Sequence, residues 1–204
     1  MEKKIVIASH GESGKEMVKT LKQTYGESLV YLDRLDLEII RQHVDEGGVI
    51  LFIGTRLFGD ISLAADGDGC INLTYVDAKD DMQLDAVRAI VGMLDDADHS
   101  YDIEAIRVVA DAVCKIITVV NVKDAQTSLI EEDMGKLLRY FPPIALATTS
   151  QAILSFAGNV TAEQVQAAAD ILAKQLPKTA VIHQVRQFDE DRADTCDRSI
   201  LLFS

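Results

Sequence analysis

Three observations along the sequence predict an α/β fold. In the first half, short β-branched apolar runs alternate with helical segments, which is typical of a mainly parallel sheet covered by helices. In the second half, strands are interrupted by a single helix, which indicates a smaller mixed or antiparallel sheet. Between them lies Tyr101–Asn121, a long apolar segment without Gly or Pro. We therefore expect two subdomains joined by a central helix.

The composition is that of a folded, acidic protein. Of the 204 residues, 48% are hydrophobic, and 33 acidic against 20 basic side chains give a formal net charge of −13. Such a charge disfavours nucleic acids and anionic membranes as partners. The 3 cysteines are widely spaced, which favours reduced thiols over disulfides or a zinc site. The first residues lead directly into a strand and do not read as a signal peptide, so we expect a cytoplasmic protein.

The first strand is expected over Lys4–Ala8, a short β-branched run. Ser9–Gly14 follows as a loop, and Ser13 with Glu16 forms a capping box that opens a helix to about Tyr25. A strand, a Gly-bearing loop and a helix N-terminus form a common anion-binding geometry, because free backbone N–H groups converge there. The same pattern also occurs in simple tight turns, so both interpretations stay open.

The rest of the first half continues the alternation of strands and helices. Strands are expected at Leu29–Leu32, Val49–Ile53 and Cys70–Val76, and helices at Leu35–Val44 and Gln83–Leu94. Ligands of parallel sheets bind at the carboxyl ends of the strands, where Ser9–Gly14 and Gly54–Gly59 both lie. The candidate binding residues in these two loops are Ser9, Gly11, Gly14, Gly54, Thr55 and Gly59. The pattern predicts a Rossmann-like subdomain over residues 1–98.

The central segment has the period of a helix. Apolar residues recur at helical spacing along one face, at Ile103, Ile106, Ala110, Val113, Ile117 and Val120. A second apolar row leaves only a narrow polar stripe, so such a helix has to be covered on more than one side. Asp111 and Lys115 make the segment too polar to span a membrane. We expect a linking helix within residues 99–123 that packs against both subdomains.

The remaining residues, 124–204, predict an α+β subdomain. Strands are expected at Ile144–Thr148, Ala152–Ala157, Ala180–Val185 and Ser199–Phe203. Thr161 with Gln164 forms a capping box that opens an Ala-rich helix ending near Gln175. Strands interrupted by one helix are typical of a small sheet covered by helices.

This second half resembles the C-terminal domain of the FtsZ/tubulin family. The resemblance follows Ile153–Gly158, Thr161–Val165, Ala180–His183, Phe188–Asp191 and Arg198–Leu202. Their order is that of the family: a strand, a capped helix, a strand, an acidic turn and a last strand that opens with Arg. The resemblance implies an FtsZ/tubulin-like fold and a cytoskeletal or cell-division type of assembly protein that forms homo-oligomers or filaments.

The segment before that domain adds to the resemblance. The central helix and Leu129–Met134 resemble the family's long linking helix and its catalytic loop. In FtsZ proteins, acidic residues of that loop complete the GTP site of the next subunit. Asp133 is the residue that falls on a matching acidic position. The resemblance therefore implies a catalytic role for Asp133 and GTP as the cofactor.

The first half departs from the family. FtsZ proteins carry a glycine-dense loop after the first strand and a Gly/Thr-rich signature after a later one, where this chain has Ser9–Gly14 and Gly54–Gly59. Arg56, Leu57 and Phe58 obstruct the close backbone approach that glycine permits around phosphates. We expect GTP binding to be weak or lost, and hydrolysis with it.

A second resemblance gives an alternative function. Ile5–Gly11 resembles the opening of mannose-family phosphotransferase IIA domains, whose His at this position carries a phosphoryl group, and Gly48–Ile53 resembles a later strand of theirs. The resemblance implies a phosphohistidine carrier that acts through His10. Those domains place an Asp after the later strand to orient the His, where this chain has Gly54.

No metal site is expected. His43, His99 and His183 show no ligand spacing, and acidic runs such as Asp189–Asp191 are typical of solvated loops. A non-catalytic interaction module stays open as a third alternative, because the loops that would bind a nucleotide are degenerate.

Overall fold

A computed structural model describes residues 5–32, 37–45, 49–54, 63–64, 70–71, 74–77, 80–96, 116–189 and 191–203. The chain divides into two compact units. The first comprises Met1–Val87 and Asp102–Ile117, and the second comprises Arg88–Tyr101 and Thr118–Ser204. The subdomain boundaries expected from the sequence stay a prediction.

The first unit alternates strands and helices, as predicted. In chain order its described elements are β1 (Ile5–His10), α1 (Gly11–Tyr25), β2 (Val30–Leu32), α2 (Leu37–Asp45), β3 (Val49–Gly54), β4 (Leu63–Ala64), β5 (Cys70–Ile71) and β6 (Thr74–Asp77). Helix α3 (Asp80–Gly92) follows and leads into a 3-10 turn at Met93–Asp95. The strands β2, β1, β3 and β6 lie in that order and pair in parallel.

Both central strands of this sheet are buried along their length. Every residue of β3 is buried, as is Ile5–Ser9 of β1. Continuous apolar strands of this kind are expected where helices cover both faces of a parallel sheet. Helix α1 contacts both strands and buries Met17, Val18 and Leu21, which recur at helical spacing.

The second unit contains a mixed sheet. Its elements are β7 (Ile116–Gln126, which starts in the first unit), α4 (Ile130–Leu137), α5 (Pro143–Thr148), β8 (Gln151–Gly158), α6 (Ala162–Ala173), β9 (Val181–Gln187) and β10 (Thr195–Phe203). The strands lie in the order β7, β10, β8, β9. Strand β8 pairs antiparallel with β10 and parallel with β9. Helices α4 and α6 contact each other and contribute Met134, Leu137, Ala168 and Leu172 to one apolar core with β8 and β10.

The capping box predicted for α6 is confirmed. The Gln164 backbone N–H donates to Thr161 Oγ1 over 3.2 Å, and the Thr161 N–H donates to Gln164 Oε1 over 2.9 Å. Gln164 Nε2 also donates to the carbonyl oxygen of Thr127 over 3.1 Å. The cap therefore fixes both the start of α6 and its position beside the end of β7.

The helix predicted over Tyr101–Asn121 is wrong at its C-terminal end. Ile116–Asn121 belongs to strand β7, whereas residues 97–115 lie outside the described part of the chain. Ile117, Val119 and Val120 are buried in the strand. Periodicity alone cannot separate a buried strand from a buried helix in an unbroken apolar run, and β-branched residues favour the strand.

Two further strand predictions are corrected. Residues 144–148, expected as a strand, form α5, with Pro143 at its first position, where the missing N–H costs nothing. The hydroxyl of Thr148 donates to the carbonyl of Ile144 over 2.8 Å, a bond that Thr forms readily in helices. The strand expected at 70–76 is two strands in different sheets, since β5 pairs antiparallel with β4 whereas β6 pairs with β3.

Half-buried His183 on β9 makes the stability of the second unit depend on pH. Its Nε2 lies 2.9 Å from Gln151 Oε1 on the neighbouring strand. Burial lowers the pKa of His183 below its ordinary value of 6.5, because the charged ring is poorly solvated. The unfolded chain therefore takes up a proton here at a higher pH than the folded chain does.

We expect the free energy of unfolding of the wild type, relative to that of His183→Gln, to fall as the pH drops through 6.5. The sign follows because the unfolded state binds more protons at this residue in that range. Urea denaturation of both proteins between about pH 5 and about pH 8 measures the difference. A difference that stays constant over the range contradicts the expectation.

Candidate functional site

Strand β1 passes directly into helix α1, without a loop. His10 is the last residue of β1 and the N-cap of α1, and Gly11 opens the helix with a positive φ of 75°. The loop predicted over Ser9–Gly14 is therefore wrong. So is the capping box, because Ser13 and Glu16 lie inside α1 and His10 makes no side-chain cap. A glycine at position 11 turns the chain within one residue, since it adopts positive φ without steric cost.

Of the predicted binding residues, Ser9 belongs to the sheet. Its side chain is 1% exposed, and its hydroxyl donates to the carbonyl of Leu32 over 3.2 Å. This bond ties the end of β1 to the end of β2. The hydroxyl proton is thus already engaged within the fold.

Gly14 and Gly54 bring α1 onto the ends of β1 and β3. A Cβ at Gly14 would lie 3.2 Å from both the Ile53 carbonyl oxygen and the Ser9 Cβ. At Gly54 φ is 108°, and a Cβ would lie 2.1 Å from the carbonyl oxygen of His10. Any larger residue at position 54 therefore collides with the backbone of β1. The structure brings Ser9, Gly11, Gly14 and Gly54 together here, whereas Thr55 and Gly59 lie outside the described residues.

Gln83, which sequence reasoning missed, secures the same corner from α3. The Gly54 N–H donates to Gln83 Oε1 over 2.7 Å, and Gln83 Nε2 donates to the Gly54 carbonyl over 3.4 Å. The Gln83 side chain is buried, and its bonds satisfy backbone groups of Gly54 at the end of β3. A polar residue among the apolar residues of a predicted helix was the available signal.

The first turn of α1 carries conflicting charges for an anion. Backbone N–H groups at a helix N-terminus attract anions. Glu12 in that turn is exposed and bonded to Lys15 Nζ at 2.7 Å; this hydrogen bond lowers the pKa of Glu12, which keeps the carboxylate charged. Ser13 Oγ is buried and has no hydrogen-bond partner among the described residues. An anion at this turn would therefore meet one hydroxyl without a hydrogen-bond partner and one carboxylate that repels it.

His10 is exposed at the end of β1 and lies opposite Gly54 in the sheet register. Within the described residues, no carboxylate is bonded to its imidazole. An Asp at position 54 would have no room, because the His10 carbonyl oxygen occupies the place of its Cβ. The described geometry offers no specific support for the phosphohistidine carrier, which stays a prediction.

Asp133 lies in helix α4, not in a loop. The segment predicted as a catalytic loop, Leu129–Met134, is the end of a 3-10 turn followed by the start of α4. The Asp133 side chain is 24% exposed and accepts a hydrogen bond from an Arg198 guanidinium nitrogen over 3.1 Å. Lys136 Nζ lies 3.5 Å from its other oxygen. The carboxylate is therefore engaged within its own unit, and its predicted catalytic role stays a prediction.

Arg198 is the partner that sequence reasoning did not assign to Asp133. It is 0% exposed, and besides Asp133 it donates to the backbone carbonyl of Gln126 and, over 3.4 Å, to Cys196 Sγ. Burial raises the pKa of the Cys196 thiol, which keeps it protonated next to the guanidinium. Arg198 occupies a buried position in the alternation of β10. A buried arginine needs an anionic partner, so this position is the signal that predicts one.

Among the described residues, no group of three or more His, Cys, Asp or Glu side chains is arranged to hold a metal ion. No described helix combines the length and the apolar character that crossing a bilayer requires.

Comparison with known proteins identifies the fold. No protein-family model and no curated protein sequence matches the chain. An empty FtsZ dimer from M. jannaschii matches with a TM-score of 0.64 at 12% identity, covering 100% of this chain and 89% of that one. The GDP-bound CetZ1 monomer from Haloferax volcanii gives 0.55 at 10%, covering 98% and 93%. TubZ of Clostridium botulinum phage c-st gives 0.53 at 13%, covering 99% and 92%.

The match extends over the whole chain, including the first half that departs from the family's glycine-rich loops. The chain therefore has the FtsZ/tubulin fold, and the resemblance seen in the second half of the sequence is confirmed. At this level of identity the likeness establishes the fold, and the chemistry of the site is a separate question.

The close contact at Gly54 gives the first prediction for this region. Gly54→Ala should destabilise the protein by about 2 kcal/mol or more, because Ala is strained at positive φ and its Cβ meets the backbone of His10. Gly135→Ala is the matched control, since nothing lies within 4 Å of a Cβ there. In the interior of α4 that change should stabilise by about 0.5–1 kcal/mol. Equal effects of the two substitutions in chemical denaturation would contradict the proposed contact.

The ion pair between Asp133 and Arg198 can be tested in the same way. Asp133→Ala should lower the free energy of unfolding by about 3 kcal/mol, because it leaves a buried guanidinium without its counter-charge. Glu132→Ala serves as control; its exposed pair with Lys136 should contribute less than about 1 kcal/mol. Asp133→Asn retains an acceptor and should fall between them. Indistinguishable unfolding curves for Asp133→Ala and Glu132→Ala would show that the pair is not structural.

Proposed function

We propose that this chain is a self-assembling protein of the FtsZ/tubulin type in which GTP binding is weak or lost. The observation that carries the proposal is the likeness of fold to FtsZ, CetZ1 and TubZ over 98% or more of the chain. The FtsZ structure is described as an empty dimer and the CetZ1 structure as GDP-bound. Both assembly and nucleotide binding are therefore properties for which this fold is suited.

Two features of the first unit support weak nucleotide binding. The strand-to-helix junction at His10–Gly11 has no loop to wrap a phosphate, and the charge of Glu12 opposes an anion at the first turn of α1. The bulky residues 56–58, which suggested the same conclusion, lie outside the described residues. Ser13 Oγ and the backbone N–H groups of the first turn are the donors that would remain for a residual phosphate contact.

The resemblance to the FtsZ/tubulin family implies a catalytic role for Asp133, whereas its ion pair with Arg198 supports a structural role. A carboxylate that neutralises the buried Arg198 within its own chain is constrained in reaching the nucleotide of another copy. We propose that assembly, in this chain, does not require hydrolysis.

The test is sedimentation velocity over a range of protein concentrations, with and without GTP. We expect oligomers whose sizes grow with concentration and do not change when GTP or GDP is added. A protein that stays monomeric throughout contradicts the proposal. Assembly that requires GTP contradicts the part concerning the nucleotide.

Calorimetric titration of the same protein measures its binding of the nucleotide directly. We expect a dissociation constant for GTP weaker than roughly 1 mM. Glu12→Gln should bind more tightly than the wild type, because it removes the repelling charge, whereas Glu16→Gln, one turn further along α1, should not. A micromolar dissociation constant for the wild type would show that GTP is its ligand. Measuring both GTP binding and GTP turnover of Asp133→Asn would then separate the two.

A further inference from the structure

The turn between α4 and α5 displays two large apolar side chains to solvent. Tyr140 is 75% exposed and Ile144 is 69% exposed, on either side of the exposed Pro142–Pro143 step. Phe141 between them is 4% exposed and belongs to the apolar core of the second unit. Large apolar side chains that are exposed close together mark a surface that contacts another body.

The fold holds this turn in place. Pro142 and Pro143 have a fixed φ, and the Ala145 N–H donates to the Pro142 carbonyl over 3.0 Å. The hydroxyl of Thr149 donates to the Ala145 carbonyl over 2.6 Å. Together with Phe141 in the core, these bonds fix both sides of the turn. A contact made by the turn therefore costs little conformational entropy.

The segment that follows α6 lies beside the same turn. The bond from Gln164 Nε2 to the Thr127 carbonyl places the starts of α4 and α6 side by side, and the two helices contact each other. After the helices, the Val181 N–H donates to the Ser150 carbonyl over 3.1 Å. Both helices therefore finish at the same end of the second unit.

The charged residues at this end are basic. Arg139, Lys174 and Lys178 are exposed, and neither residues 138–150 nor residues 174–181 contain an Asp or Glu. Among the described residues, no carboxylate forms an ion pair with any of the three basic side chains. We call the exposed surface of these two segments the basic patch.

We propose that the basic patch binds an anionic lipid surface, with Tyr140 and Ile144 entering the headgroup region. A tyrosine has an apolar ring and a polar hydroxyl, which suits it to the boundary between lipid and water. Basic side chains next to inserted apolar ones add attraction to anionic headgroups. This inference does not depend on the proposed self-assembly.

The patch reverses locally the charge of the whole chain. The net charge of −13 disfavours anionic membranes as partners, but exposed charges are screened beyond about 8–10 Å at physiological salt. Asp170 lies one turn before Lys174, and its carboxylate accepts a hydrogen bond from Gln166 Nε2 over 2.8 Å, on the preceding turn of α6. The remaining acidic surface repels the membrane and so favours the orientation in which the patch faces the lipid.

Two other partners fit the patch less well. A peptide needs a groove that covers its side chains, whereas Tyr140 and Ile144 project from the surface and are themselves mostly uncovered. A second copy that presented the same patch would bring like charges together. A lipid surface receives projecting side chains and supplies the negative charge.

Binding is tested by sedimenting the protein with phosphatidylcholine vesicles, with and without phosphatidylserine, at protein concentrations below those of any assembly. The wild type should bind the phosphatidylserine vesicles at about 100 mM salt and leave them at about 500 mM. It should not bind vesicles of phosphatidylcholine alone. Circular dichroism verifies that every variant is folded.

The charges of the patch are tested with a control of equal net charge. Lys174→Gln with Lys178→Gln should lower the vesicle partition coefficient at least about tenfold. Lys19→Gln with Lys22→Gln removes the same charge from exposed positions of α1 and should lower it much less.

The apolar side chains are tested in the same way. Tyr140→Ser with Ile144→Ser should also lower the partition coefficient at least about tenfold, because the inserted surface is lost. Phe188→Ser with Leu129→Ser removes two other exposed apolar side chains of the second unit and should leave it unchanged.

A fluorescent probe locates the contact. The chain contains no Trp, so Tyr140→Trp introduces a single reporter. Its emission should shift to shorter wavelengths on phosphatidylserine vesicles and be quenched by lipids brominated on the acyl chains. Phe188→Trp, which is also exposed, should show neither change.

Other outcomes overturn the inference. A wild type that ignores phosphatidylserine vesicles refutes lipid binding, and equal losses in the two lysine variants refute the patch as its site. An unchanged Trp emission at position 140 in vesicle-bound protein refutes insertion. If the wild type ignores vesicles and Tyr140→Ser with Ile144→Ser abolishes self-assembly in sedimentation velocity, the patch contacts a second copy and not a membrane.

Discussion

Arg198 has no exposed surface, and its nitrogens reach three parts of the second unit: α4 through Asp133, the end of β7 through the Gln126 carbonyl, and its own strand through Cys196. Removing a guanidinium from water costs several kcal/mol unless charge and hydrogen bonds are both supplied. The stable position of β10 therefore requires β7 and α4 to be in place.

The first unit depends on a steric constraint instead of a buried charge. Helix α1 lies against the ends of β1 and β3 because Gly14 and Gly54 have no Cβ there. In a phosphate site, glycines leave space that the ligand fills. Here the space around them is filled by backbone, with the His10 and Ile53 carbonyl oxygens within 3.2 Å of the missing Cβ positions. The glycines at this junction are thus explained by packing, without any ligand.

Sequence patterns predicted the elements whose signals are local. Strands β1 and β3 are short apolar runs, and α6 is opened by its Thr161–Gln164 cap. The failures fall where local signals are ambiguous: the start of β7, Ile116–Val120, is a mainly apolar segment that also fits a helical period, and α5 is a short apolar segment whose Pro143 decides its form. At the candidate site, the glycines were identifiable from sequence. The Gln83 clamp and the Asp133–Arg198 pair join residues distant in the chain, and no spacing rule predicts such contacts.

The two units together suggest how an assembly of this fold can work without a nucleotide. Where a protein is switched by GTP, the γ-phosphate holds loops that collapse on hydrolysis. In the assembly proposed for this chain no such switch is used. Assembly would then follow protein concentration, and the Asp133 carboxylate would remain committed to Arg198 because no hydrolysis would depend on it.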